Sequence, residues 1–382
     1  YTHEGRKYEV WKATLSEDGA RDIMENAQIL VPMFIEGGTI IALDEPWVAD
    51  RWTLFTLYQV DKRLANTSPY TFVGFSTSYR VFTLPDRREP AENDLALLQH
   101  NESDMDAILR RWNSKTANED THLLKSPLEL PSRERISQFL IIPTHQGEGH
   151  GARLYDTVFK SLISPDNVCE LTVEDPNEAF DDMRDTCDLT WLRKNNDDFA
   201  SLAIQTKIDS AKLKATENIP VDDIVSGDAK ARIKKTSKIM PRQLGRLIEM
   251  QTYSKIPKLN RSASRISRKE KSTNEMDRAY YLWRLYVKQR LYISNRDVLA
   301  QLDREERAER LDATIENIQV DYDRLLELAD KRAHFIDSEV GSHNGATKRK
   351  KKVVVESDED EDDAEAGDVA PTSSRKKKRR TA

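Results

Sequence analysis

Apolar and polar residues alternate along residues 8–15 (YEVWKATL), the period of a half-buried strand. Residues 20–36 (ARDIMENAQILVPMFIE) change to a helical period, with Ile23, Ile29, Leu30 and Met33 as the apolar stripe and Pro32 as its end or kink. Residues 52–60 (WTLFTLYQV) and 70–79 (YTFVGFSTSY) are rich in aromatic and β-branched side chains. They predict two antiparallel strands, with Asn66 and Pro69 in the turn between them. Residues 83–132 break the pattern and read as an insertion between strands, which costs little because closure entropy grows slowly with loop length. Residues 135–142 (RISQFLII) predict a buried strand, glycines cluster at 147–151, and Leu154, Tyr155, Val158, Phe159 and Leu162 recur at helical spacing. VCELTV, from Val168 to Val173, is another strand, and residues 176–195 predict another helix. Strand, glycine turn, helix, strand is a βαβ-like unit.

From about residue 196 the chain reads as helical and highly charged, most clearly over 275–293 and then in a polar helix through about 333. Gly341 and Gly345 lead into a tail of KRKKK, an acidic run ESDEDEDDAE, and RKKKRR. Blocks of like charge build no core and predict disorder. A chain of 382 residues has room for two or three units. The boundaries read as 1–82, an insertion at 83–132, 133–195, a helical domain at 196–340 and the tail at 341–382.

Charge and composition narrow the function. No apolar run approaches the ~20 residues that span a bilayer, so no membrane partner is expected. The net charge is −6, and the segment from Lys348 onward carries 11 Lys/Arg against 9 Asp/Glu, which leaves −8 on residues 1–347. An acidic body suits a basic partner better than it suits DNA, which needs a positive footprint. The two cysteines, Cys169 and Cys187, lie in no CxxC and no Cys/His cluster, which argues against a disulfide framework or a zinc site. Cys169 reads as a core residue, and His145 and His150 as turn residues.

The chemistry centres on Gln146-Gly147-Glu148-Gly149-His150-Gly151, where three of the chain's 13 glycines fall within five positions. Glycine permits positive φ and leaves no Cβ to block a ligand. The first amides of the following helix are unpaired, and the helix dipole favours negative charge there. Such a turn is built to hold a phosphate or pyrophosphate, although glycine could serve the turn geometry alone. The absence of GK[ST] argues against a P-loop, and the spacing is not GxGxxG.

Gln146, Gly149 and Gly151 match the Q/R-x-x-G-x-G/A pattern, and the chain here resembles the GNAT acetyltransferase superfamily. RISQFLIIPTHQGEGHGARLYDTV, then LTVEDPNEAFDDMRD, and upstream FIEGGTII, DRWTLFTLYQV and TFVGFSTSY, closely resemble the catalytic subunits of type B histone acetyltransferases. The resemblance covers roughly residues 7–80 and 133–195, and more loosely the region to about 335. It implies an α/β fold: a GNAT core with a mixed, mostly antiparallel sheet, then an α-helical C-terminal domain and a disordered charged tail. It also implies a preceding domain, almost all of which this chain lacks.

The resemblance further implies acetyl-CoA as co-substrate. Phe139, Leu140 and Ile141 would face the pantetheine arm, Gln146, Gly147, Glu148, Gly149, His150, Gly151 and Ala152 would wrap the pyrophosphate, and Asn177 would reach the cofactor. Glu174 corresponds to the general base, with Asp175 and Glu36 as further acidic residues. Tyr79, Arg80, Val81 and Trp52 correspond to histone-tail contacts. The implied reaction is direct acetyl transfer to lysines of the histone H4 tail, with a WD40-repeat histone-binding subunit as partner, in nucleus and cytoplasm. No metal is expected.

Elementary chemistry agrees with the base. A lysine amine must be neutral to attack a thioester, yet its reference pKa is about 10.4. A carboxylate at a strand end beside the cofactor takes that proton, and clustering of Glu36, Glu174 and Asp175 would raise one partner's affinity for it. A backbone amide near Leu140 could polarise the thioester carbonyl. The alternative for Glu174-Asp175-Pro176 is a strand end and helix cap. Asp181, Asp182, Asp185 and Asp188 either add negative field near the substrate or form a solvated helix face. The tail's basic runs resemble nuclear localisation signals. Acetylation of another protein or amine, or a non-catalytic histone-binding adaptor, are the alternative functions.

Overall fold

Aromatic and β-branched residues build a six-stranded sheet in the order β1 (Thr2–His3), β2 (Arg6–Thr14), β3 (Trp52–Val60), β4 (Tyr70–Phe82), β5 (Ser132–Ile141) and β6 (Val168–Val173). Neighbours from β1 to β5 run antiparallel, and β5 and β6 run parallel. The computed structural model describes residues 1–43, 45–63, 67–83, 128, 131–213, 218–266 and 274–343. Most of the 83–132 insertion, Asn66 of the β3–β4 turn, and the charged tail from 344 lie outside the described residues. Tyr1–Ile336 form one compact unit and Asp337–Ala382 a second.

The helices used below are α1 (Asp18–Ala27), α2 (Leu30–Phe34), α3 (His150–Ile163), α4 (Glu178–Asn195), α5 (Gly227–Ser237), α6 (Pro241–Ser254), α7 (Glu275–Ser294) and α8 (Arg304–His343). The glycine turn and the helix after it fall where the sequence predicts them, and the whole predicted stripe of α3 from Leu154 to Leu162 is buried. This α/β architecture, a mostly antiparallel mixed sheet followed by helices, is the expected fold. No break in packing marks residue 196: one hydrophobic cluster runs from Tyr8, Phe55 and Val158 to Trp283, Tyr322 and Ala329.

The stretch 20–36 corrects the sequence reading. It forms two helices, and Ile23, Ile29 and Met33 are exposed. The buried positions are Ala20, Met24, Ala27 and Val31, which pack with Leu54, Phe75 and Leu140 on one face of the sheet. Their spacing is helical, but two of the four are alanines, which carry little weight in a stripe chosen by bulk. Pro32 sits in the first turn of α2, where a missing N–H leaves no helical bond unmade. Cys169 is a second correction: it is exposed, and its thiol donates to the Ser132 carbonyl at 3.2 Å.

Two irregularities position the site. In the β4–β5 ladder Thr77 pairs with Gln138 but Ser78 with Ile136, so Ser137 is an extra residue, a bulge. At Gly74 of β4, a Cβ would lie 2.4 Å from the Leu140 carbonyl oxygen, so only glycine lets the two backbones approach this closely.

Candidate active site

The strands β5 and β6 pair from Ser132–Val168 to Ile136–Val173 and then part. The last link is Glu174 N–H to the Ile136 carbonyl at 2.8 Å. Beyond it β5 continues to Ile141, whereas Asp175, at φ 36, turns the chain away towards α4. A left-handed aspartate is a strained residue, held here at the point where the strands separate.

The bulge decides which backbone groups face the opening. Ile142 N donates to the Val73 carbonyl at 2.9 Å, so in the alternation of an antiparallel ladder Leu140 also bonds toward β4. Phe139 and Ile141 therefore direct their main-chain groups away from β4, to the side that β6 has left. Gln146 Nε2 reaches the Ile141 carbonyl at 2.7 Å, as that direction requires. The main-chain donors beside the gap are thus those of Phe139 and Ile141, and the Leu140 amide is committed to the sheet.

The glycine turn closes the end of this gap. Gly147 (φ 81) and Gly149 (φ 80) are left-handed, with open space where a Cβ would project. Gly149 is the N-cap of α3, and no side chain caps that helix. The amides of His150, Gly151 and Ala152 therefore lack helical partners. Gly151 serves packing: a Cβ would meet Met183 Sδ at 3.1 Å, with Ile141 and Phe139 just beyond. His150 turns inward and is 1% exposed; Nδ1 lies 2.8 Å from Tyr1 Oη and Nε2 3.1 Å from Glu148 Oε2. Its ring packs against Tyr8 and His3, and burial pushes the imidazole's pKa down. Only its backbone can serve a ligand in the gap. The sequence showed no metal cluster, yet the turn brings His145, Glu148 and His150 together, with one ligand atom from each within 4.8 Å of the others.

Glu174 lies beside the opening with three donors around its carboxylate. Ser137, the bulge residue, donates to Oε2 at 2.7 Å, Tyr79 donates to Oε1 at 3.1 Å, and Arg135 Nη1 stands 3.7 Å from Oε1. Arg135 also donates to Tyr79 Oη at 3.2 Å, and that hydrogen bond raises the guanidinium's pKa. Trp52 pairs with Tyr79 across β3 and β4, with ring centroids 4.7 Å apart. Tyr79, Trp52 and Glu174 therefore form one half-exposed wall. Ser137 and Arg135 are members that the sequence reading missed. Neither carries a motif, and Ser137 is placed by a bulge that has no sequence signal.

Other predicted residues are placed differently. Arg80 faces away from Tyr79 and is engaged by Glu134 at 2.8 Å and the Leu128 carbonyl at 2.7 Å; its own carbonyl accepts from Arg51. It is not brought to the wall, while Val81 lies two residues along β4, in register with Arg133. Glu36 is exposed, and no hydrogen bond or ion pair joins it to Glu174 among the described residues. Its loop is tied to β5 by Gln138 Nε2 to the Thr39 carbonyl at 2.8 Å. Asn177 caps α4, its Oδ1 accepting from Phe180 N at 2.9 Å, which leaves its Nδ2 donor to offer a ligand.

The aspartates of α4 correct the sequence reading further. Asp185 and Asp188 are each 1% exposed. Asp185 accepts from Gln243 and Arg246 of α6, and Asp188 from Tyr155 at 2.8 Å. Burial pushes the Asp188 carboxyl up to about 7. Asp182 pairs with Arg324 of α8 at 2.7 Å. Asp182 and Asp185 fasten α4 to the helical region, and Asp188 joins it to α3 through Tyr155 and to α6 through Gln243 at 3.3 Å, so the three do not form a solvated face or a field for substrate.

A strand gap edged by the main chain of Phe139 and Ile141, a glycine-led helix without a side-chain cap and a carboxylate at the strand end lie together in an α/β fold. A family model described as the histone acetyl transferase HAT1 N-terminus matches residues 1–36, within the 1–82 unit. The chain is 38% identical over 342 residues to the histone acetyltransferase type B catalytic subunit of Pyricularia oryzae, covering 88% of this chain and 67% of that one. It is 36% identical to the same subunit of Gibberella zeae, covering 90% and 67%, and 34% identical to that of Aspergillus oryzae, covering 86% and 62%. The chain belongs to the family of type B histone acetyltransferase catalytic subunits.

Proposed function

We propose that this chain transfers acetyl from acetyl-CoA to lysine side chains in the amino-terminal tail of newly made histone H4, by direct attack with Glu174 as general base. The observation that carries the reading is the conjunction of the Glu174 wall with the open main chain of Phe139 and Ile141. The pantetheine arm would lie along Phe139–Ile141, and the pyrophosphate would sit on the amides from Gly147 to Ala152. The thioester carbonyl would take a main-chain donor from the Phe139–Ile141 edge, as an oxyanion does. Trp52 and Tyr79 offer aromatic faces to a lysine stem, and Glu174 accepts the ammonium's proton. Asp175 and Glu36 add negative charge for a basic tail. A WD40-repeat histone-binding subunit as partner, and work in nucleus and cytoplasm, belong to the same reading.

The cofactor half of this proposal has its own test. Valine at Gly149 would force a β-branched residue to positive φ and disturb the helix entry. Gly149→Val is expected to weaken acetyl-CoA binding by at least about tenfold, roughly 1.4 kcal/mol, in isothermal titration calorimetry. Equal affinity in a folded variant would remove the turn from the cofactor site.

A further inference from the structure

We infer that His145, Glu148 and His150 form a site for a divalent transition metal, with zinc the best-fitting ion. Three residues of the glycine turn supply the ligands. Gly147 and Gly149, both left-handed, fold the chain so that positions 145, 148 and 150 converge. One ligand atom from each lies within 4.8 Å of the others, and His150 Nε2 and Glu148 Oε2 are already 3.1 Å apart. Tetrahedral zinc with ligand bonds of about 2.0–2.1 Å sets its ligands about 3.4 Å apart. Small rotations of His145 and Glu148, neither of them buried, close the remaining distance.

The surroundings fit a metal ligand better than a bare turn. The second ring nitrogen of His150, Nδ1, lies 2.8 Å from Tyr1 Oη, the kind of outer partner that fixes a coordinating imidazole's orientation and tautomer. Tyr8 and His3 pack on the ring and hold it in place. Two imidazoles and one carboxylate are a borderline donor set that suits zinc and leaves a fourth position open to water. The spacing matches no common zinc motif, because the convergence depends on two positive-φ glycines rather than on helical or hairpin periodicity.

The position gives the site a consequence, which rests on the reading of this turn as the pyrophosphate cradle. Glu148 places a negative charge one residue before the helix N-cap. A bound dication reverses the sign of that local charge, so zinc is expected to tighten acetyl-CoA binding several-fold.

The test uses the full chain free of any histidine tag, titrated with zinc chloride by calorimetry, and cobalt as a spectroscopic substitute. One zinc per chain is expected, with the visible absorption of four-coordinate cobalt, and His145→Ala and Glu148→Gln are each expected to weaken binding at least about tenfold. Both substitutions lie on non-buried side chains, and Glu148→Gln keeps an amide beside His150 Nε2 while the Tyr1, Tyr8 and His3 contacts of the ring remain. No binding by the wild type, or binding that both variants keep, overturns the site. Acetyl-CoA is then titrated with and without zinc. Zinc bound but acetyl-CoA never bound would retire the cradle reading and leave the metal site standing; an unchanged acetyl-CoA affinity would overturn the coupling.

Discussion

Glu174→Gln is expected to lower kcat for acetyl transfer to a histone H4 tail peptide by roughly 10²–10⁴-fold, with acetyl-CoA affinity nearly unchanged. Glutamine keeps the size of the side chain and can still accept from Ser137 or Tyr79, which hold the carboxylate at 2.7 and 3.1 Å. It loses the ability to take a proton. The deficit should narrow as pH rises toward the lysine reference value of about 10.4, because more of the substrate amine is then neutral without help. Steady-state rates at several pH values, with calorimetry on both proteins, check this. A rate loss that tracks lost cofactor affinity would make Glu174 a binding group instead of a base.

Removal of the Glu249 carboxylate is expected to produce the largest loss of stability. Glu249 of α6 is fully buried and holds Arg290 of α7 through two hydrogen bonds of 2.6 and 2.8 Å. Tyr322 of α8 donates to the same carboxylate at 2.8 Å, and Trp283 Nε1 donates to the Glu249 carbonyl at 3.0 Å. One side chain therefore joins three helices beside the aromatic cluster of Tyr253, Trp283 and Tyr322. Glu249→Ala leaves a buried hydroxyl and a guanidinium without their acceptor. The expected cost is about 3 kcal/mol, at the low end for a broken buried pair because Arg290 can reach water. Chemical denaturation checks it, and Glu249→Gln, which can keep one acceptor, should lose less. An unchanged midpoint in Glu249→Ala would mean the network contributes nothing net.

Both residues bear on what the sequence makes legible. The strands and α3 follow from alternation and helical spacing, and the glycine turn from composition alone, since those signals are local. Glu174 stands out in sequence by resemblance, but its setting does not. Ser137 reaches it through a bulge, and the same bulge turns Phe139 and Ile141, rather than Leu140, toward the gap. Register is a property of two strands, so one strand's residues cannot reveal it. Asp185, Asp188 and Glu249 are hidden for a related reason: a charged residue on a helix reads as solvated until the partner helix is known. In α1 the error runs the other way, where Ala20 and Ala27 are buried and bulkier Ile23 is not.

In the proposed function acetyl-CoA reaches Glu174 through the gap between β5 and β6. This is tested most directly by incubating the chain with acetyl-labelled acetyl-CoA and an H4 tail peptide, and locating the label by mass spectrometry. Label on peptide lysines, accumulating far more slowly when Gly149→Val or Glu174→Gln replaces the wild type at equal concentration, is the predicted result. A wild-type chain that neither binds acetyl-CoA nor labels the peptide would contradict the account.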